Sequence, residues 1–154
     1  LNNEMDDFSA KPGVPNAYGL IGGEANKIEP GKRMLSSMSP TIVRKDGRNY
    51  LVTGSPGGSR IITTTLQVLM NVIDHNMNIQ SAVSAPRMHH QWLPDEILVE
   101  QGFSRDTIEL LQARGHTITT SRAMGAIQSI LIGPEGTLYG GADPRRSTSS
   151  AMGY

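Results

Sequence analysis

Cysteine is absent from the 154 residues, which excludes disulfides and thiolate metal sites but leaves the cellular compartment open. An excess of either charge is missing too, because 14 basic and 14 acidic side chains give a formal net charge of zero. A neutral chain lacks the electrostatic footprint of a nucleic-acid binder, so a polyanion is not the expected partner. No apolar run approaches the roughly 20 residues of a membrane span, and the opening "LNNEMDDF" is polar rather than signal-like. No initiator methionine precedes it, and so abrupt a start inside a motif-like stretch reads as a piece of something longer. The length suits one ordinary domain able to bury a core.

Chain breakers crowd residues 8–33, where Pro12, Pro15 and Pro30 stand among Gly13, Gly19, Gly22, Gly23 and Gly31, and this stretch reads as a long ordered loop. From Ser39 onward, "PTIVRK", an Asp46-Gly47 turn and "NYLVTG" predict a β-hairpin. In "SRIITTTLQVLMNVIDH", Ile62, Leu66, Leu69, Met70 and Ile73 recur at spacings of three and four, the helical period. The threonines there have mediocre helix propensity, so tertiary packing must hold that helix. "NIQSAVSAP" predicts a short helix stopped by Pro86, and "EILVE" a strand. "SRDTIELLQARG" carries a fuller helix signal: Ser104 as N-cap, Asp106 in the first turn, Leu110 and Leu111 on an apolar face, and Gly115 past the end. Strands are expected at "HTITTS", "QSILIG" and "TLYGGA", the last two joined through Pro134-Glu135-Gly136. Such an order is mixed α and β with hairpins, not the strict alternation of a doubly wound parallel sheet.

Three stretches carry candidate chemistry. "TGSPGGSR", residues 53–60, fails the phosphate-loop spacing and has no lysine after its glycines; with Thr53 in place of the first glycine it also fails the nucleophile-elbow pattern. Two readings remain. Consecutive backbone N–H groups at a strand-to-helix junction can meet one developing negative charge, or the glycines serve a sharp turn without chemistry. "LSSMSP" places the hydroxyls of Ser36 and Ser37 side by side, fit to donate to a carboxylate or to make an ordinary turn. "NNEMDDF" concentrates Glu4, Asp6 and Asp7, acceptors suited to an ammonium or to a solvated loop. Together the three would hold an α-amino acid by its head while an acyl group on its side chain is attacked. A nucleophile with its base is what they lack.

In this order and at these separations, the three motifs resemble the small subunit of the γ-glutamyltranspeptidases, and the similarity continues through "APRMHHQWLPDE" and "GPEGTLYGGADPR" to the C-terminal "GY". The resemblance covers essentially all of residues 1–154, as the C-terminal portion of that subunit. It implies an α+β chain forming part of an N-terminal nucleophile hydrolase αββα sandwich, without the upstream strands that carry the nucleophile. It also implies a precursor that cuts itself into a large and a small subunit, the new N-terminal threonine of the small subunit being the nucleophile. Carried across by residue, Asp7 resembles the ligand of the substrate α-amino group, and Glu4 a position, glutamine or glutamate in members, that assists it. Ser36 and Ser37 resemble the pair that holds the α-carboxylate, and Gly57 and Gly58 the oxyanion-hole pair.

The activity implied is γ-glutamyl transfer or hydrolysis through a γ-glutamyl-threonine ester. The partners implied are the large subunit of the same precursor, glutathione or a related γ-glutamyl compound, and water, an amino acid or a peptide as acceptor. Neither a metal nor an organic cofactor is called for, and the compartment implied is the periplasm or the exterior of a bacterium. Two departures stand out. The family's threonine lies upstream of "NNEMDDF", so this chain alone is expected to be inactive; neither Thr41 nor Thr53 replaces it, because the nucleophile needs its own free α-amine as base. Met34 stands where many members have proline, which alters loop stiffness more than chemistry. Two rivals remain on the same scaffold: a glutaryl or cephalosporin acylase, which needs no ammonium ligand, and a catalytically silent amino-acid-binding module. With its sheets completed in the family by other segments, the isolated chain is expected to associate. Sedimentation velocity should show oligomers, and a monodisperse monomer would contradict this.

His89 and His90 are adjacent and on a strand would face opposite ways, which argues against a shared metal; Trp92 is expected in the core or at a subunit interface.

Overall fold

In the computed structural model, which describes residues 4–153, Asp46 and Gly47 both hold positive φ (50° and 76°), as a two-residue type I′ turn requires. They close the expected hairpin between β1 (Thr41–Lys45) and β2 (Arg48–Gly54). Asn2, Asn3 and Tyr154, which contribute to the motifs above, lie outside the described residues. The chain divides into two units, Leu1–Ser37 and Met38–Tyr154.

The second unit is built on a four-stranded antiparallel sheet of order β1-β2-β6-β7, with β6 (Gln128–Ile132) and β7 (Leu138–Ala142) joined by the expected turn at Gly136. Register sets the two faces. Val43, Leu51 and Leu131 align across β1, β2 and β6 on the inner face, whereas Ile42, Val52 and Ile130 align on the outer one. Helices α1 (Arg60–Ile73) and α2 (Ile79–Ser84) cover the inner face. The core there gathers Leu51, Val68, Val72, Ile79, Ala82, Val83 and Ile127. Asn78 caps α2 by accepting from Ser81 N–H at 2.9 Å. A smaller sheet of order β3-β4-β5 joins Met88–His89, Ile97–Val99 and Ile118–Thr120. Here β4 and β5 pair in parallel across α3 (Arg105–Ala113), a crossover unit beside the hairpins.

Three side-chain placements go beyond what the sequence pattern specified. The α1 stripe of Ile62, Leu66, Met70 and Ile73 faces outward, Leu66 being 52% exposed, while Ile61, Thr64, Thr65, Val68 and Val72 are buried. Helix α1 has apolar residues on two faces, and the face turned to the sheet carries the smaller, β-branched set. Helix α3 ends at Gly115 as expected, but it buries no residue and leaves Leu110 exposed, because it lies over the edge of the small sheet rather than over a core. Trp92 is 77% exposed on a turn at φ 74°, so of its two expected placements the core is excluded and a subunit interface is left.

In the first unit the breaker-rich loop is ordered by its own polar groups. The Asn16 side chain accepts from Tyr18 N–H and Leu20 N–H at 2.9 and 3.0 Å, an Asx-type turn that folds the loop back on itself. Gly13 N–H to Gly22 O at 2.9 Å and a parallel bridge of Ser9 with Lys27 close its base.

Candidate functional site

Glu4 and Asp7 both sit on a single 3₁₀ turn, Glu4–Asp7, and both are partly buried. Phe8 and Ser9, buried directly after it, fix where that turn ends. Ser36 and Ser37 lie on a segment without regular structure, residues 32–40. Asn26 links the two segments: its Nδ2 donates to Asp7 O at 2.7 Å, and its Oδ1 accepts from Leu35 N–H at 3.0 Å. The ammonium and carboxylate candidates thus belong to the first unit, and Gly57 with Gly58 belongs to the second.

The glycine pair ends β2 and opens α1. Both residues hold positive φ, 146° and 58°, so the backbone takes a path that side chains disfavour. Their carbonyls accept from Arg60 N–H and Ile61 N–H, starting the helix. Among the described residues no acceptor meets the N–H of Gly57 or Gly58. Two consecutive unpaired donors at the positive end of a 14-residue helix are suited to an oxyanion.

Three contacts hold that loop in place. Ser55 Oγ donates to Pro56 O at 2.7 Å and accepts from Ala126 N–H at 3.0 Å, tying the glycine loop to the segment before β6. Gly125, at φ 71°, packs its backbone against Gly57; a Cβ there would lie 2.7 Å from Ser55 Oγ and 3.1 Å from Thr64. Ser59 Oγ donates to Gln91 Oε1 at 3.1 Å, and His89 bonds both Gln91 and Thr63 of α1. His89 is buried and His90 is not, as alternation on a strand requires. Burial, reinforced by the Arg60 and His90 charges against the hydrogen bond from Gln91, holds the His89 imidazole below its ordinary value. It acts as a neutral strut behind the helix start.

The segment 124–127 is itself pinned by a charged cluster that sequence reasoning passed over, three buried residues with the partly buried Arg145. Arg87 bonds Asp143 at 2.8 Å and donates to Met124 O at 2.6 Å. Asp143 accepts from Ile127 N–H at 2.7 Å, and Glu100 from Met124 N–H at 2.6 Å. Arg145 closes the cluster on both carboxylates. Burial opposes ionisation at Asp143, but the Arg145 N–H and the Arg87 guanidinium outweigh it and keep the carboxyl below its ordinary value. Burial also works against Glu100, where the Arg145 side chain and two backbone N–H groups prevail. Their signal was present: Arg87 and Arg145 stand within "APRMHH" and "GGADPR", charges flanked by small and apolar residues. An open cleft of about 650 Å³ beside Glu100 and Arg145 shares no residue with the glycine loop.

A family model for γ-glutamyltranspeptidase matches residues 1–153. The chain is 63% identical over 154 residues to the glutathione hydrolase proenzyme of Escherichia coli (strain K12), covering all of this chain and 27% of that relative. It therefore spans just over a quarter of the length of that longer protein. Among solved structures, the T380A mutant of Helicobacter pylori γ-glutamyltranspeptidase superposes with a TM-score of 0.90 at 59% identity, covering 95% of this chain and 81% of that one. A cephalosporin acylase from Bacillus halodurans is more distant, with a TM-score of 0.75 at 33% identity over 84% of this chain and 25% of that one. The motifs, the mixed α and β fold and these matches agree, and the chain belongs to the γ-glutamyltranspeptidase family, as a C-terminal part of the small subunit within the N-terminal nucleophile hydrolase fold.

Proposed function

We propose that this chain supplies the substrate-binding and oxyanion groups of a γ-glutamyltransferase or glutathione hydrolase whose threonine nucleophile and large subunit belong to the rest of a longer precursor. The observation that supports this best is the unpaired N–H pair of Gly57 and Gly58 at the start of α1, in a chain of this family. Asp7, assisted by Glu4, binds the substrate ammonium, and Ser36 and Ser37 donate to its α-carboxylate. So held, the γ-carbonyl meets the threonine oxygen. Attack moves the carbonyl electron pair onto oxygen, where Gly57 and Gly58 N–H receive it; each such donor is worth about 3 to 4 kcal/mol in other enzymes. The threonine's free α-amine takes the hydroxyl proton and passes it to the donor nitrogen, so that collapse expels a neutral amine and leaves the ester; water, an amino acid or a peptide, deprotonated by the same α-amine, then takes the γ-glutamyl group and the threonine regains its proton. No step needs a metal or an organic cofactor.

The outer faces support the larger assembly. Ile42, 64% exposed, continues with Val52 and Ile130 as an apolar row on the uncovered side of the main sheet, and the outward stripe of α1 is likewise bare. Sheets and helices of the precursor's remaining segments would cover both. No helix among the described residues is long and apolar enough to cross a membrane, and a periplasmic or secreted site follows from the family reading.

The likeness to a cephalosporin acylase favours one second reading, deacylation of glutaryl-type side chains. Asp7 separates the two, since glutaryl groups carry no ammonium. In the full-length protein, a γ-glutamyl anilide should react about 100-fold faster than a glutaryl anilide, and Asp7→Asn should abolish that preference, as loss of one charge-assisted hydrogen bond predicts. Equal rates on both anilides would point to the acylase, and no release from either to a silent binding module.

A further inference from the structure

An α-amino acid presents its ammonium and its carboxylate on one carbon. A site that grips both must therefore hold its two sets of partners at a fixed spacing, since a misplacement of about 1 Å costs roughly 100-fold in rate. In the first unit these partners sit on segments far apart in sequence, the 3₁₀ turn Glu4–Asp7 and the stretch around Ser36 and Ser37, which has no regular structure from residue 32 to residue 40. Among the described residues no strand ladder sets their register.

We propose that Asn26 is the positioning residue that sets this spacing, its carboxamide bridging the Asp7 turn to the Ser36–Ser37 segment. The proposal rests on the roles given above to Asp7, Ser36 and Ser37. Asn26 Nδ2 donates at 2.7 Å to the carbonyl of Asp7 itself, and Asn26 Oδ1 accepts at 3.0 Å from the N–H of Leu35, the residue before Ser36. The backbone of Asn26 is fixed as well: its N–H donates to Gly23 O at 3.1 Å and its carbonyl accepts from Ser9 N–H at 2.9 Å. A short side chain on a pinned backbone is a stiff link. A carboxamide offers a donor and an acceptor on separate atoms at one end; an ionised aspartate could meet Leu35 N–H but not the Asp7 carbonyl, and alanine neither. Asn26 bonds main-chain atoms on both sides and occupies neither the Asp7 carboxylate nor the serine hydroxyls itself. Its action on substrate is through them.

The test uses the full-length protein with Asn26→Ala, the isosteric Asn26→Asp, Asp7→Asn and the double variant Asn26→Ala/Asp7→Asn. Each is assayed on γ-glutamyl and glutaryl anilides. Asn26→Ala should raise KM for the γ-glutamyl anilide about tenfold with kcat changed less than about threefold, and cut the glutamyl preference about tenfold. In the Asp7→Asn background the same substitution should alter the preference less than about twofold, because residues acting through one contact are not additive. Asn26→Asp keeps the Leu35 bond and should also lose preference, and it decides the matter if the alanine variant does not fold. Wild-type KM and preference in a folded Asn26 variant overturns the proposal. An equal loss in the presence and absence of the Asp7 carboxylate overturns it too, leaving a purely structural asparagine. If Asp7→Asn itself keeps the glutamyl preference, the Asp7 assignment falls and the proposal with it; if Asp7→Asn loses the preference while Asn26→Ala does not, the proposal alone falls.

Discussion

Asp143→Ala should lower the unfolding free energy of the full-length protein by about 3 to 5 kcal/mol, the usual cost of removing one partner from a buried ion pair. Arg87 is 2% exposed and Asp143 fully buried, so the guanidinium left behind could neither find water nor lose its proton. The N–H of Ile127 and of Arg145 would lose their acceptor in the same step. Chemical denaturation measures this directly, and a loss under about 1 kcal/mol would show the cluster to be less closed than its geometry indicates. An Arg87→Met/Asp143→Leu double variant should be less destabilised than either single charge deletion, since paired removal leaves no orphaned ion. The sign with pH follows from the lowered carboxyls. Asp143 and Glu100 contribute stability that is complete above their ordinary values of 3.8 and 4.5 and is lost as pH falls through their lower folded values. Asp143→Ala should therefore flatten part of the acid limb.

Gly125→Ala should reduce kcat of the full-length protein about 100-fold while leaving KM for the γ-glutamyl substrate within about threefold, the pattern for an interaction made only in the transition state. The added methyl would stand 2.7 Å from Ser55 Oγ and 3.1 Å from Thr64, at a φ of 71° that alanine disfavours. Ser55 would have to release Ala126 N–H, and the loop carrying Gly57 and Gly58 would shift with it. The groups assigned to the ammonium and the carboxylate are other residues, Asp7 and the Ser36–Ser37 pair, hence the small effect on KM. Steady-state kinetics beside a thermal melt reads both parts. An unchanged kcat in a folded variant would remove Gly57 and Gly58 from the oxyanion role.

Much of the fold was legible because local chemistry carried it. The Asp46-Gly47 turn, the Pro86 stop, the Gly115 helix end and the glycine pair all express backbone preferences confined to a few residues. The long loop was recognisable as ordered, but not that Asn16 and Asn26 order it, since an asparagine in a turn-rich stretch looks the same whether it bonds its neighbour or a residue far away. Helix α1 was legible in existence but not in facing: period 3.6 describes a helix equally well when threonines and valines face in and Leu66 faces out.

The motifs by themselves determined the family and the chemical character of each candidate, because donors and acceptors are properties of residue type at a given place in the chain. Only tertiary structure decided which of them are tied together. Asn26 joins Asp7 to Leu35, Gly125 backs Gly57, and Arg87 meets Asp143 across 56 residues. Those contacts depend on where strand register and packing return the chain, and no local pattern encodes a distance between segments so far apart.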